Sequence, residues 1–158
     1  MKSALDSKLG KKVPSHANIL LWLIEYSGIL LSRYAIGRHG KTAFQRIKGR
    51  QSTRPIAEFG ECVWYKQLQT QDDRHANMEP RWEEGIWLGI NPRTNEVLIG
   101  TTDGTIRTRS VRRRSKGEQW SYEKVMNIKG LPWDPMGTKG DGDHGTNVDG
   151  GNNSSFGF

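Results

Sequence analysis

The sequence predicts an α+β protein in which an N-terminal helical segment precedes a small, strongly curved β-barrel and a disordered tail. Apolar residues between about 18 and 34 recur every three or four positions, which is typical of a buried helix. Short alternating stretches with internal glycines follow, separated by turn signals, and from Met136 the chain is mostly Gly, Asp and Asn. We therefore expect four segments: a flexible lead-in (1–15), a helical segment with a connector (16–54), the barrel (55–114), and a linker with the disordered tail (115–158).

The apolar run Ile19–Leu31 belongs to the first predicted helix. It contains Glu25 and is shorter than the roughly 20 apolar residues that a bilayer crossing needs, so we expect neither a membrane span nor a signal peptide. Because the run is apolar around much of the helix, we expect it to need packing partners beyond those in this chain. A second, short helix is predicted over Ala43–Lys48, with Phe44 and Ile47 docked on the first.

Four strands are predicted for the barrel, and a short fifth piece after it. The strands are EFGECVWYKQL, RWEEGIWLGI, VLIGTT and TIRTRSVRR, and the fifth piece is YEKVMNI. Asp103–Gly104 is a strong signal for a two-residue hairpin between the third and fourth strands.

The residue inventory argues against catalytic and metal chemistry. The single cysteine, Cys62, lies in an apolar run and is expected to be a buried small side chain, which fits an intracellular setting. The four histidines lie in polar or loop segments without the neighbours that activate a nucleophile. We expect no metal, no cofactor and no catalytic residue.

The fourth predicted strand carries the strongest functional signal, because six cations fall within residues 107–116. In an extended strand Arg107, Arg109 and Arg113 would share one face, and arginine suits phosphate recognition. The net charge of +7 is concentrated in the first 114 residues, which favours a polyanionic partner. The expected phosphate contacts are Arg107, Arg109, Arg112, Arg113, Arg114 and Lys116, with Lys66 and Arg81 as further candidates.

The tryptophans of the neighbouring strands leave two interpretations open. Trp64, Trp82 and Trp87 would stack on bases if they faced outward. Alternatively they fill the barrel core, and the arginines are a solvated edge strand that prevents aggregation.

Residues 16–113 contain several motifs in a fixed order that resemble a known family. WLIEYSGILLSRY, GKTAFQRIKGR and EFGECVWY are similar to the end of the core and the start of the C-terminal domain of copia-type retroelement integrases, and WEEGIWLGI is similar to a strand of the same proteins. Ala43 stands where the family has proline, and Ser32 where it has asparagine. Trp22, Ser32–Arg33 and Thr42–Gln45 stand at positions that correspond to the family pattern, and Gly49–Arg50 and Phe59–Gly60 match it directly.

The resemblance implies a fragment of a Pol polyprotein. It would retain the last helices of an RNase H-like core and a barrel of the Src-homology-3 (SH3) type that binds DNA non-specifically. The Asp, Asp, Glu active site and the zinc-binding domain of such integrases would lie upstream of residue 1, and the missing core would supply the partners of the first helix.

We therefore expect a non-catalytic fragment associated with DNA integration that binds DNA or RNA through phosphates and acts in the nucleus if it works within an integration complex. Its further partners would be the rest of an integrase core or other integrase protomers. The alternative is an SH3-like or Tudor-like protein-interaction module with an aromatic cage and no nucleic-acid role. A complete small nuclease is the third possibility, and metal-dependent cleavage by the isolated chain would indicate it.

Overall fold

The protein combines helices with one β-sheet, as the sequence predicts. The computed structural model describes residues 1–52, 55–67 and 82–137. Arg81, most of the loop between the first two strands and the expected disordered tail from residue 138 lie outside these residues. The helices are α1 (Lys2–Leu9), α2 (Asn18–Tyr34), α3 (Ala43–Lys48) and α4 (Tyr122–Met126), and the strands are β1 (Cys62–Lys66), β2 (Trp82–Ile90), β3 (Val97–Gly100), β4 (Thr105–Thr108) and β5 (Val111–Arg113).

The five strands form one antiparallel sheet in the order β4-β3-β2-β1-β5. The two edge strands are consecutive in the chain, joined only by Arg109 and Ser110. A flat sheet would separate them by about 19 Å, whereas the three Cα steps from Thr108 to Val111 reach at most about 11 Å. The sheet must therefore curl, although among the described residues no ladder between β4 and β5 closes it into a barrel.

The fourth predicted strand is in fact two strands, because the chain turns at Arg109–Ser110. The buried Thr108 hydroxyl donates to the Lys66 carbonyl (2.6 Å), and the Lys66 amide donates to the Ser110 carbonyl (3.1 Å). These hydrogen bonds link the end of β4 to the end of β1. The chain then continues along the other edge of the sheet as β5. The expectation that Arg107, Arg109 and Arg113 share one strand face is therefore wrong.

Helix α2 has the predicted bounds and packs against the curled sheet. The Tyr26 ring stacks on Phe59 with centroids 5.3 Å apart and meets Trp87 edge-on at 5.4 Å. Gly89 permits this approach, because a Cβ there would lie 3.1 Å from the Tyr26 ring and its φ of 139° disfavours other residues. The buried face of α2 thus finds partners within this chain, whereas Ile24 and Leu31 on another face are exposed. Among the described residues, no helix has the length and hydropathy needed to span a bilayer.

Two segments predicted to lack helices contain them. The lead-in forms α1; most of its residues are exposed, but Leu5 is buried against Gly60, and Val13 after the helix is buried as well. The expected fifth strand is α4, which begins after the Ser121 cap. Val125 and Ile128 lie three residues apart and both are buried, which matches helical rather than strand spacing.

The short helix α3 confirms its predicted start and end. Thr42 and Gln45 form a reciprocal capping box, and Gly49 ends the helix in a left-handed conformation. Phe44 contacts the Arg33 guanidinium of α2 at 5.2 Å, but Ile47 is exposed, so only one of the two predicted docking residues docks.

Candidate nucleic-acid interface

Alternating cations and indoles cover one face of β2, β1 and β5. Antiparallel register places Trp64 opposite both Glu84 and Arg112, and Lys66 opposite Trp82. Directly paired residues project from the same face of a sheet. We call this set the cation–indole stack: Lys66, Trp82, Arg112, Trp64 and Arg114.

Each indole of the stack is covered by at least one cation. The Arg112 guanidinium carbon lies 4.4 Å from the Trp82 centroid, and the Lys66 Nζ lies 5.2 Å from the same ring. The Arg114 guanidinium carbon lies 4.8 Å from the Trp64 centroid. Both indoles are half-buried. These are cation–π distances, and the rings fix the positions of the charges above them.

The charges of the stack are only partly neutralised. Arg114 is largely buried and pairs with Glu84 and with Glu118 (3.2 Å), and Lys124 shares Glu84. A hydrogen bond from the Ser115 hydroxyl and the charge of Arg114 lower the pKa of Glu118. By contrast, Lys66 and Arg112 form no salt bridge with any residue that the structure describes. Among the residues that the structure describes, the stack therefore presents two cations without an acidic partner beside one indole.

Arg113 points to the opposite face of β5 and is bound internally. Its Nε and Nη2 donate to the two carboxylate oxygens of Glu61, at 2.8 and 3.0 Å. Glu61 is fully buried and also accepts the Glu58 amide (2.9 Å). The hydrogen bonds and charge of Glu61 raise the pKa of Arg113. Arg113 and Arg114, two of the expected phosphate contacts, are therefore each paired with a carboxylate of the protein.

The remaining predicted site residues are dispersed. The Arg109 side chain is well exposed, and its Nε lies 3.5 Å from the Glu96 Oε1. Arg107 is on the other edge strand, opposite Leu98, and lines a separate cleft. Lys116 is exposed just beyond the stack, with no acidic partner among the described residues. Arg81 lies outside the described residues.

Of the three tryptophans considered in the sequence, one fills the core and two face outward. Trp87 is fully buried against Tyr26, whereas Trp64 and Trp82 lie on the outer face. The sequence alone does not identify Glu61 and Glu84 as partners of the arginines. Only the strand register shows which cation meets which acid, and nothing local in the sequence sets that register.

Other site chemistries find no support in the part of the chain that the structure describes. No group of three His, Cys, Asp or Glu residues there could hold a metal ion. Cys62 is buried as predicted, and burial raises the pKa of its thiol. No protein-family model, curated protein or solved structure matches the chain.

Proposed function

We propose that this protein binds the phosphate backbone of nucleic acid through the cation–indole stack and performs no chemistry itself. The observation that supports it is the pair Lys66 and Arg112, held beside Trp82 without a carboxylate partner among the described residues. Like charges fixed so close together repel, and a bound phosphate relieves that repulsion. Because the indole already restricts both side chains, little further side-chain entropy is lost on binding.

The proposed contact set is smaller than the sequence suggested. Lys66, Arg112 and Lys116 form its centre, since none of them has an acidic partner among the described residues. Arg109 adjoins it, because the Ser110 carbonyl is bonded to the Lys66 amide. Arg113 and Arg114 contribute by holding β5 in place. Arg107 lies apart.

We propose further that the chain is a retroelement integrase fragment whose sheet corresponds to an SH3-type barrel, associated with DNA integration in the nucleus. The order of the integrase-like motifs supports this, as do the curl of the sheet and the shortness of its strands other than β2. The exposed Ile24 and Leu31 of α2 support contact with the rest of an integrase core. The helical segment would then be the end of the RNase H-like core.

The geometry of the stack argues against the protein-interaction alternative. A reader of methylated lysine needs an open aromatic cage that accepts a foreign cation. Here Arg114 covers Trp64, and Arg112 and Lys66 cover Trp82, so the protein's own cations occupy those positions.

Salt dependence of binding tests the proposal. Three phosphate contacts, from Lys66, Arg112 and Lys116, predict that log K falls against log salt with a slope of about −2.7 on duplex DNA and about −2.1 on a single strand. Fluorescence anisotropy of a labelled mixed-sequence duplex, titrated between about 50 and about 300 mM KCl, measures it. An affinity that does not change with salt, or no binding at the lowest salt, would contradict the proposal.

A further inference from the structure

A second cluster, on the other edge of the sheet, surrounds a cleft between α2, β3, β4 and the turn at residues 131–135. The cleft has a volume of about 160 Å³, well below that of pockets for drug-sized ligands, so it suits a single side chain rather than a cofactor. Trp22, Ile29 and Leu98 contribute apolar walls, and Pro132 and Pro135 form the side nearest the turn.

Two opposite charges line this cleft without pairing. Glu25 of α2 and Arg107 of β4 are both exposed, and neither forms a salt bridge with any residue that the structure describes. A purely anionic partner would be repelled by Glu25, and a purely cationic one by Arg107. A partner that presents both signs of charge can instead pair with both residues.

An exposed indole belongs to the turn whose prolines form one side of this cleft. Backbone hydrogen bonds in both directions between Leu131 and Asp134 close a tight turn (2.9 and 3.0 Å), and this turn carries Trp133. The Trp133 side chain is 68% exposed, the most exposed tryptophan of the described residues. The surface thus combines a protruding apolar group, an apolar cleft and one charge of each sign.

We infer that this surface binds a second copy of the chain in a two-fold symmetric dimer. In such an interface each contact occurs twice, so Glu25 of one protomer meets Arg107 of the other, and the reverse. The surface is therefore complementary to itself in charge, and Trp133 of each protomer packs at the cleft of its partner. A small interface of this kind gives a reversible dimer. The inference does not rest on nucleic-acid binding.

Charge exchange tests the pairing. Sedimentation velocity without nucleic acid, from about 1 to about 500 µM protein, should show a dimer that forms with rising concentration. Glu25→Arg alone and Arg107→Glu alone should each weaken dimerisation at least tenfold, because each variant places two pairs of like charges in the interface. The double variant E25R/R107E should restore it to within about threefold, since the pairs re-form with reversed sign.

Two more variants separate this surface from general apolar association. Trp133→Ser should weaken the dimer. The summed emission of the six tryptophans of the wild type should shift to shorter wavelength as concentration rises, and this shift should be absent in Trp133→Ser. Ile47→Ser removes an exposed apolar side chain from α3 and should leave dimerisation unchanged. A monomer at every concentration, a double variant no better than the single ones, or loss of the dimer in Ile47→Ser alone would overturn the inference. Circular dichroism confirms that each variant is folded.

Discussion

Replacing Lys66 and Arg112 together by glutamine is expected to weaken duplex binding about 60-fold at about 0.1 M salt. Each phosphate contact raises the binding constant about 8-fold at about 0.1 M salt relative to about 1 M salt. The reason is that log K changes by about 0.9 per contact for each tenfold change in salt concentration. Glutamine removes both charges and keeps a polar side chain over the Trp82 ring. Fluorescence anisotropy gives the affinities, and the salt slope of the variant should fall to about −0.9.

A matched control distinguishes the stack from the overall basic charge. Lys41 and Lys48 are exposed cations beside and within α3, away from the sheet, and replacing both by glutamine removes the same charge. This control should change the affinity less than about threefold, because screening limits the effect of distant charges. Equal losses in the two double variants would mean that the bulk charge, not the stack, binds the nucleic acid.

Replacing Arg113 by methionine is expected to destabilise the fold by about 3 kcal/mol. The change leaves the fully buried Glu61 carboxylate without the two guanidinium hydrogen bonds that it accepts. We take the lower end of the range for broken buried pairs, because the Arg113 side chain is 45% exposed and water can partly replace it. The melting temperature should fall by roughly 10 °C in a thermal scan followed by circular dichroism.

Neutralising the unpaired Glu61 carboxylate should restore much of the stability that Arg113→Met loses. In the double variant R113M/E61Q the glutamine side chain can still accept the Glu58 amide but is neutral, so its melting temperature should exceed that of Arg113→Met. Arg112→Met, one position away on the outer face, should melt within about 2 °C of wild type. If Arg113→Met also melts within that margin, the Glu61 pair does not hold β5 in place.

Local signals in the sequence were sufficient for much of the chain. The three-to-four-residue apolar spacing gave α2 its bounds, Thr42 and Gly49 gave α3 its ends, and Asp103–Gly104 lies in the turn between β3 and β4. In each case the residues that determine the structure are neighbours in the chain.

Other features depend on contacts between distant residues and were not predictable in this way. The break between β4 and β5 follows from the bond of Thr108 to Lys66, 42 positions away. Leu5 is buried against Gly60, which is distant in the chain. The candidate site divides in the same way: the density of arginines was visible in the sequence, but which of them are neutralised depends on Glu61 and Glu84 across the sheet.

The indole N–H resonances of the tryptophans test the central claim most directly. With ¹⁵N-labelled tryptophan and a short duplex at low salt, the resonances of Trp64 and Trp82 should shift on titration, because phosphates bind the cations that lie on those rings. The resonances of the buried Trp22 and Trp87 should stay in place. Shifts confined to other tryptophans while Trp64 and Trp82 do not move, or no shift at all, would contradict the account.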